Sequence, residues 1–453
     1  MAVTMNYGAA PTYVKIASQT SGAVSSVTFS NIPQGYTDLV VIFQGGVSSA
    51  TANLMATVNT DTAANYSSTV LYGNGAAATS GRASSHAKMY LSGLAVIDTT
   101  LAANAVVSFM NYANTTTHKT ILARTSNATQ MAGTSVSLWR STAAINRIDL
   151  SPDAAVNFIT GSTFNLYGIK AALVPKATGG DIIVQNGSYW YHAFTSSGTF
   201  IPKQSLTCDY LVVAGGGGAG GNSGAGGTKR GAGGGGAGGL RSTVTATGGG
   251  GTLESALSLA SNTGYTVTVG AGGAGGSDLL GTNGSNSVFS TITSTGGGGG
   301  GTSVAGQPVG LTGGSGGGGA PSNSLGGSFT ANQGYAGGTA ANYPYTAGGG
   351  GGAGAVGGNG TSSVSGNGGA GVAVSITGAS VTYAGGGGGA GDTDYPTTNG
   401  TGGSGGGGAG SSTTAASRGA ANRGGGGGGL ARSSGTTTGG AGGSGIVIVR
   451  YPI

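Results

Sequence analysis

The strongest constraint on this chain is glycine that keeps returning in blocks. Leu211-Val212-Val213-Ala214 leads straight into Gly215-Gly216-Gly217-Gly218. Comparable runs recur at 233–236, 296–301, 348–352, 385–389 and 424–429, and the chain closes on Gly445-Ile446-Val447-Ile448-Val449-Arg450-Tyr451. Glycine loses more backbone freedom on folding than any other residue, so a segment of this kind stays a flexible linker unless packing fixes it. Glycine and proline together reach about a quarter of the chain, where low complexity begins. Three features argue for order. Strand-like sequences punctuate the runs, among them Tyr265-Thr266-Val267-Thr268-Val269 and Val372-Ala373-Val374-Ser375-Ile376. Charged residues are only 6% of the chain, too few for a solvated disordered segment. The inserts differ from one another, unlike a monotonous Gly/Ser spacer.

Consecutive glycines can form an extended helix with three residues per turn and a rise of about 3.1 Å. That helix has no internal hydrogen bonds, so its N–H and C=O groups point outward and must find partners on neighbouring runs. The expectation for 211–453 is therefore a slab of polyglycine-II-type helices, side by side, with the inserts as loops at its two ends. Collagen is set aside because it needs glycine at every third position and these runs are uninterrupted.

The first part of the chain is different. Between residue 13 and about 174 glycine is ordinary, and short apolar runs are bounded by turn residues. Strands are expected at 24–29, 37–43, 54–58, 89–91, 106–112, 119–123, 136–140, 145–150 and 163–169. That spacing, with hardly a helical period in it, predicts a β-sandwich or jelly roll over 1–174. Pro175-Lys176-Ala177-Thr178-Gly179-Gly180 reads as a linker, and 175–210 as a short β linker module. The fold class expected for the whole chain is all-β.

The opening at 211–218, the Gly238-Gly239-Leu240-Arg241 step, the segment from Tyr265 to Gly273 and the close at 445–451 resemble the glycine-rich domain of tailed-bacteriophage fibre and adhesin proteins. Phe29-Ser30-Asn31-Ile32-Pro33, Tyr36-Thr37-Asp38-Leu39, Trp139-Arg140-Ser141-Thr142 and Phe164-Asn165-Leu166-Tyr167-Gly168-Ile169 are similar to a β-sandwich domain of marine phage virion proteins. The resemblance implies a virion protein: a sandwich for attachment, and a glycine-rich tip whose loops contact a bacterial surface receptor, a polysaccharide or an outer-membrane protein. It also implies other virion proteins as partners and a homotrimer. A capsid-decorating or head-fibre protein is the alternative. An extracellular glycine-rich structural protein is a third reading, against which residues 1–13 offer no charged or apolar segment of signal-peptide kind.

Chemistry is thin. Past Tyr210 the acids are Glu254, Asp278, Asp392 and Asp394, too scattered for a carboxylate pair. Asp392-Thr393-Asp394 lacks the rest of a calcium loop and reads as a polar turn. His86, His118 and His192 are isolated, and Gly313-Gly314-Ser315-Gly316-Gly317 matches a nucleophile elbow only because glycine is everywhere. No catalysis, cofactor or metal is expected. The net charge of +6 is sparse; Lys229, Arg230, Arg241, Arg418, Arg423, Arg432 and Arg450 make no cluster of nucleic-acid size. No apolar run is long enough to cross a membrane. Cys208 is the only cysteine and is expected to be a buried filler.

The aromatic residues of the longer inserts carry the site expectation. Phe329, Tyr335, Tyr343, Tyr345 and Tyr395 lie in inserts rather than in strands, and tyrosine offers rigid contact area at small entropic cost. They either form a contact surface or cap the slab against water. The candidate receptor loops are 320–345, 391–401 and 411–423, adding Asp392, Asp394, Arg418 and Arg423 to the candidate residues.

Overall fold

The structure is a computed structural model that describes residues 12–93, 97–128, 131–153, 155–170, 174–222, 230–303, 306, 308–432 and 438–453. The chain divides into two compact units, one within residues 9–173 and one within 174–453. Both are all-β.

The first unit is two antiparallel sheets around one core. The larger sheet runs β1 (Tyr13–Thr20), β12 (Thr163–Ile169), β3 (Asp38–Gly45), β8 (Ala103–Phe109), β9 (Lys119–Ser126), β10 (Ala132–Trp139), β5 (Tyr66–Gly73), β6 (Ala78–His86). The smaller runs β2 (Val27–Phe29), β11 (Ile148–Pro152), β4 (Leu54–Val58), β7 (Met89–Tyr90). Side chains alternate along β8, β9 and β12, every second one buried, as the two-residue period of a strand requires. Their inward members, among them Val107, Phe109, Ile121, Phe164 and Leu166, meet Phe29, Leu54, Val58, Ile148 and Leu150 of the facing sheet. Phe43 and Phe164 pack with ring centroids 4.9 Å apart. The sequence reading missed β1, β5 and β6.

The second unit begins with strands. One sheet runs β13 (Ala177–Thr178), β16 (Gly198–Pro202), β21 (Tyr265–Thr268), β22 (Ser287–Phe289), β23 (Ile292–Ser294). Another runs β14 (Ile182–Asn186), β15 (Tyr189–Phe194), β27 (Ile446–Pro452), β17 (Leu206–Val213), β19 (Leu240–Ser242), with β20 (Leu257–Leu259) also pairing β17. Two-stranded pairs join β18 (Gly221–Asn222) to β26 (Leu430–Ala431) and β24 (Val372–Val374) to β25 (Val381–Tyr383). The last strand, β27, lies between β15 and β17. Residues 182–213 are thus integral to the glycine-rich unit rather than a lead-in, and the boundary expected at 210/211 falls inside β17. One face of this sheet buries Trp190, Phe200, Tyr210, Phe289 and Tyr451 with Cys208. Burial pushes the Cys208 thiol up to about 12. The other face packs Leu211, Val213, Ile446 and Ile448 against Ala237, Ala353 and Ala384 at the ends of glycine runs.

The glycine runs hold one another through backbone hydrogen bonds with a period of three. Gly233, Gly236 and Gly239 donate to Gly301, Gly298 and Thr295 of one neighbouring run. Gly234 and Ala237 donate to Gly348 and Gly351 of a second, and Gly235 and Gly238 to Gly427 and Gly424 of a third. The carbonyls turn to three other runs: Gly233 and Gly236 accept from Gly220 and Gly217, Gly234 and Ala237 from Gly318 and Ser315, and Gly235 from Gly387. This is the outward bonding of a three-residue-per-turn helix packed among its own kind. None of the glycines at 215–218, 233–236, 296–301, 348–352 or 385–389 has positive φ. Glycine is needed there for proximity: a Cβ at Gly235 would overlap the Gly217 carbonyl oxygen, and one at Gly217 that of Gly298.

Candidate functional site at the tip of the slab

The alternation of the runs creates two ends. Runs starting after β17, β21, β23 and β25 lead away from the strands, and runs ending at β19, β22, β24 and β27 return. The turns between outgoing and returning runs therefore gather at the end opposite the strands, here called the tip. Backbone bonds tie that end together: Gly221 N–H donates to Leu279 O, Gly231 N–H to Tyr345 O, Ala347 N–H to Ala390 O and Ser411 N–H to Gly429 O.

The structure sorts the sequence-predicted residues between the two ends. Tyr343, Tyr345 and Tyr395 meet at the tip, with ring centroids 5.3 Å apart for Tyr343–Tyr395, 6.0 Å for Tyr343–Tyr345 and 6.1 Å for Tyr345–Tyr395. The Arg230 guanidinium lies 4.6 Å from the centre of the Tyr345 ring, a cation–π distance. Asp392 and Asp394 sit in the adjacent turn, where Asp392 Oδ1 accepts the Asp394 N–H at 2.7 Å. Tyr343, through charge and a hydrogen bond, holds the Tyr395 phenol above its ordinary pKa.

Phe329 and Tyr335 are not part of it. They pair with each other at 6.2 Å at the strand end, where neighbouring Gln333 accepts the Leu240 N–H with its carbonyl and the Thr295 N–H with its side chain. Arg423 also belongs to the strand end, donating from Nη1 to Thr382 O at 2.8 Å. Arg418 is exposed on a run along the flank, between Ser417, whose N–H bonds to Ala409, and Gly419, whose N–H bonds to Ala441.

Two of the expected loops are therefore not single loops. Residues 320–345 cross the slab twice, with turns at both ends, because 326–327 and 337–338 are themselves slab runs bonded to Gly317 and Gly349. Residues 411–423 make one crossing and reach the strand end in the same way. Only 391–401 turns once, at the tip.

Sequence reasoning missed the aliphatic part of the tip. Leu279, Val309, Leu325, Tyr343 and Val364 are 53, 52, 65, 67 and 39% exposed, and all five lie in tip turns or beside them. Leu279, Val309 and Val364 stand in separate inserts, whereas Leu325 shares the expected 320–345 loop with Tyr343, the one of the five that the sequence singled out; alternating the inserts between the ends groups all five. Lys229 lies outside the described residues. Ser315 of the elbow-like motif sits in a bend between two slab runs, buried, with its N–H on Ala237 O, and not on a strand-to-helix turn. No group of three or more His, Cys, Asp or Glu that would hold a metal occurs among the described residues. None of their helices is long and apolar enough to cross a membrane.

Away from the tip, two ion pairs form near the strands of this unit. Arg241 meets Glu254 through Nε and Nη2 at 2.7 Å each, and Tyr210 donates to the same carboxylate at 2.5 Å. Arg450 pairs with Asp209 at 2.9 Å and stacks on Tyr189 at 4.4 Å.

These features define an all-β protein whose larger unit is a backbone-bonded glycine slab with exposed apolar side chains in its tip turns. The glycine-rich domain family matches residues 195–452, more than half of the chain, and the chain belongs to that family. No curated protein matches it.

Proposed function

We propose that the chain is a structural protein of a phage virion, of the tail-fibre or adhesin kind, that binds a bacterial surface receptor through the tip of its slab. The sandwich unit serves attachment to the virion, where weak contacts from the copies of a homotrimer add through effective concentration. The observation that carries the reading is the exposure of Leu279, Val309, Leu325, Tyr343 and Val364 in turns of one end, because exposed apolar groups in excess of scattered single residues mark interaction sites. The slab suits such a role. It fixes its end turns on hydrogen-bonded rods, so little entropy is lost when they bind.

The test is binding of labelled full-length protein to a panel of whole bacterial cells, read by flow cytometry. Wild type is expected to decorate cells of at least one strain. The Leu325→Asp/Tyr343→Ala double variant is expected to lose that signal, while Phe329→Ala at the strand end keeps it. Protease or periodate treatment of the cells then separates a protein receptor from a polysaccharide. Cell binding unaffected by the tip changes, or binding to none of the panel, would overturn the reading.

A further inference from the structure

The eight-stranded sheet of the sandwich has two open edges, β1 and β6. β1 is broken along its length by a shift of register between Lys15 and Ala17, a bulge of the kind that blunts an edge against pairing. β6 is regular for longer. Its shift falls at the far end, where β5 passes from Tyr66 to Ser67, and residues 78–84 stand in unbroken register with 67–73. β6 contains no proline, and Arg82 is its only Lys, Arg, Asp or Glu.

The direction of its backbone groups follows from the turn before it. Asn74 N–H donates to Ala77 O at 3.2 Å. Bonded and non-bonded pairs alternate along an antiparallel ladder, so Thr79, Gly81 and Ala83 bond to β5, and Ala78, Ser80, Arg82 and Ser84 turn both N–H and C=O to the free side. No hydrogen bond fills that side among the described residues. The side chains of Ser80 and Arg82 lie on the outer face of the sheet and are exposed. Gly81 and Ala83 lie on the inner face, beyond the point where the small sheet stops at β7. With Val70, Tyr72 and Tyr90 they line a groove of about 340 Å³.

We propose that β6 receives a strand from a partner protein, with an apolar–acidic–apolar sequence at its centre. Each property of that strand answers one feature of the edge. A regular row of open donors and acceptors is satisfied by an extended backbone. Arg82 has no ion-pair partner among the described residues, and a carboxylate directly opposite supplies one. The residues before and after that acid point to the inner face. They come beside Gly81 and Ala83, whose small size leaves room for branched apolar side chains against Val70 and Tyr72. A second copy of this chain does not answer the charge. The fully overlapping register of two β6 strands pairs Arg82 with Ser80 and sets both guanidinium groups on one diagonal, without a carboxylate.

The test is fluorescence anisotropy of the labelled peptide Thr-Val-Thr-Val-Glu-Val-Thr-Val-Thr with full-length protein. Its valines are N-methylated, which leaves it one bonding edge and keeps it from stacking on itself. No cells are involved, so the outcome is independent of what the slab tip binds. Saturable binding is expected, weaker by about fivefold when lysine replaces the glutamate. Ser80→Pro removes a donor from the free side and none from the bonds to β5, a place where an edge strand tolerates proline, and is expected to abolish binding. Arg82→Glu is expected to reverse the preference between the two peptides. A thermal melt of each variant establishes that the sandwich still folds. The assignment is overturned if the glutamate peptide does not bind, if folded Ser80→Pro protein binds it as wild type does, or if Arg82→Glu keeps the wild-type preference. It is also overturned if sedimentation velocity shows the protein self-associating and Ser80→Pro abolishes that association, because a second copy would then hold the edge.

Discussion

The two units reach order by opposite means. In the sandwich, side chains do the packing: Phe43, Phe109, Trp139, Phe158 and Phe164 are fully or almost fully buried, and the backbone supplies ladders that position them. In the slab the backbone does the packing, and any side chain inside it is an obstruction. Stability in the first is tied to apolar area removed from water. In the second it rests on backbone hydrogen bonds, each modest in net terms but costly to leave unmade once buried. The comparison teaches that glycine content measures different things in different places. In a linker it signals freedom, and in this slab it signals contact too close for a Cβ.

The sharpest way to break this comparison is to reverse the direction of substitution. Phe43→Ala in the sandwich removes a ring that touches Phe158 and Phe164 at 5.7 and 4.9 Å, and is expected to cost about 3–5 kcal/mol. Gly235→Ala adds only a methyl group. It would nonetheless overlap the Gly217 carbonyl oxygen from the middle of a run bonded on all sides. The expected cost is about 3 kcal/mol, since a backbone must move and not a flexible side chain. Differential scanning calorimetry of the full chain reads both. If Gly235→Ala proves silent, the slab is loose enough to absorb a methyl group and the account of its glycines is wrong.

The strand end of the slab unit offers a pH-dependent test. His192 is fully buried, with Nδ1 at 2.6 Å from Gly179 O and Nε2 at 2.8 Å from the Tyr451 hydroxyl, and the Phe200 ring stands edge-on to it at 5.1 Å. Nδ1–H donates to the carbonyl and Nε2 accepts from the phenol, so the neutral ring is satisfied. Burial lowers its pKa below the ordinary value of 6.5. The unfolded chain therefore binds a proton first as pH falls, and the stability from this site is present above about pH 6.5 and declines below it. The melting temperature is expected to drop between about pH 6.5 and 5 in wild type, and to drop less in His192→Gln. Equal slopes in the two proteins would remove His192 as the cause.

How much of this was legible in the sequence depended on what each residue had to signal. β3 and β12 announced themselves because their inward residues, Leu39, Val41, Phe43, Phe164 and Leu166, are large and buried. β5 and β6 did not, because Ser68, Gly81 and Ala83 interrupt the apolar alternation along them; Ala-Thr-Ser-Gly-Arg-Ala-Ser-Ser-His carries no strand signal. In the slab, uninterrupted glycine was readable as interior run. The edge runs were not, and 320–345 passed for a loop. At the edge of a three-fold packing, only some positions face a neighbour. Gly326 and Gly327 confront Gly337 and Leu311, whereas Leu325 and Ser328 are exposed. Thr398, Thr401 and Ser404 repeat the exposure at the same interval. Exposed residues every third position, with glycine between, are the mark of an edge run. Once such runs are counted, the inserts fall alternately at the two ends. Tyr343, Tyr345 and Tyr395 then belong together, and Phe329, Tyr335 and Arg423 do not.

The smallest expected effects test the same rule from the other side. Gly35 in the sandwich has nothing within 4 Å of where a Cβ would stand and no positive φ, so Gly35→Ala is expected to change stability by no more than about 0.5 kcal/mol. Ser328, exposed on an edge run, is expected to accept alanine within a similar margin. Gly327 beside it should not, because a Cβ there would overlap the Leu311 carbonyl oxygen. The pair Ser328→Ala and Gly327→Ala, one residue apart on the same run, isolates the direction a side chain faces from every other property of the segment. Guanidinium-chloride melts resolve the difference. If both variants unfold with wild type, the edge runs are bound to the slab more loosely than their hydrogen bonds imply. If both are destabilised alike, the period of three does not govern which positions tolerate a side chain, and the sorting of the inserts into two ends loses its sequence rule.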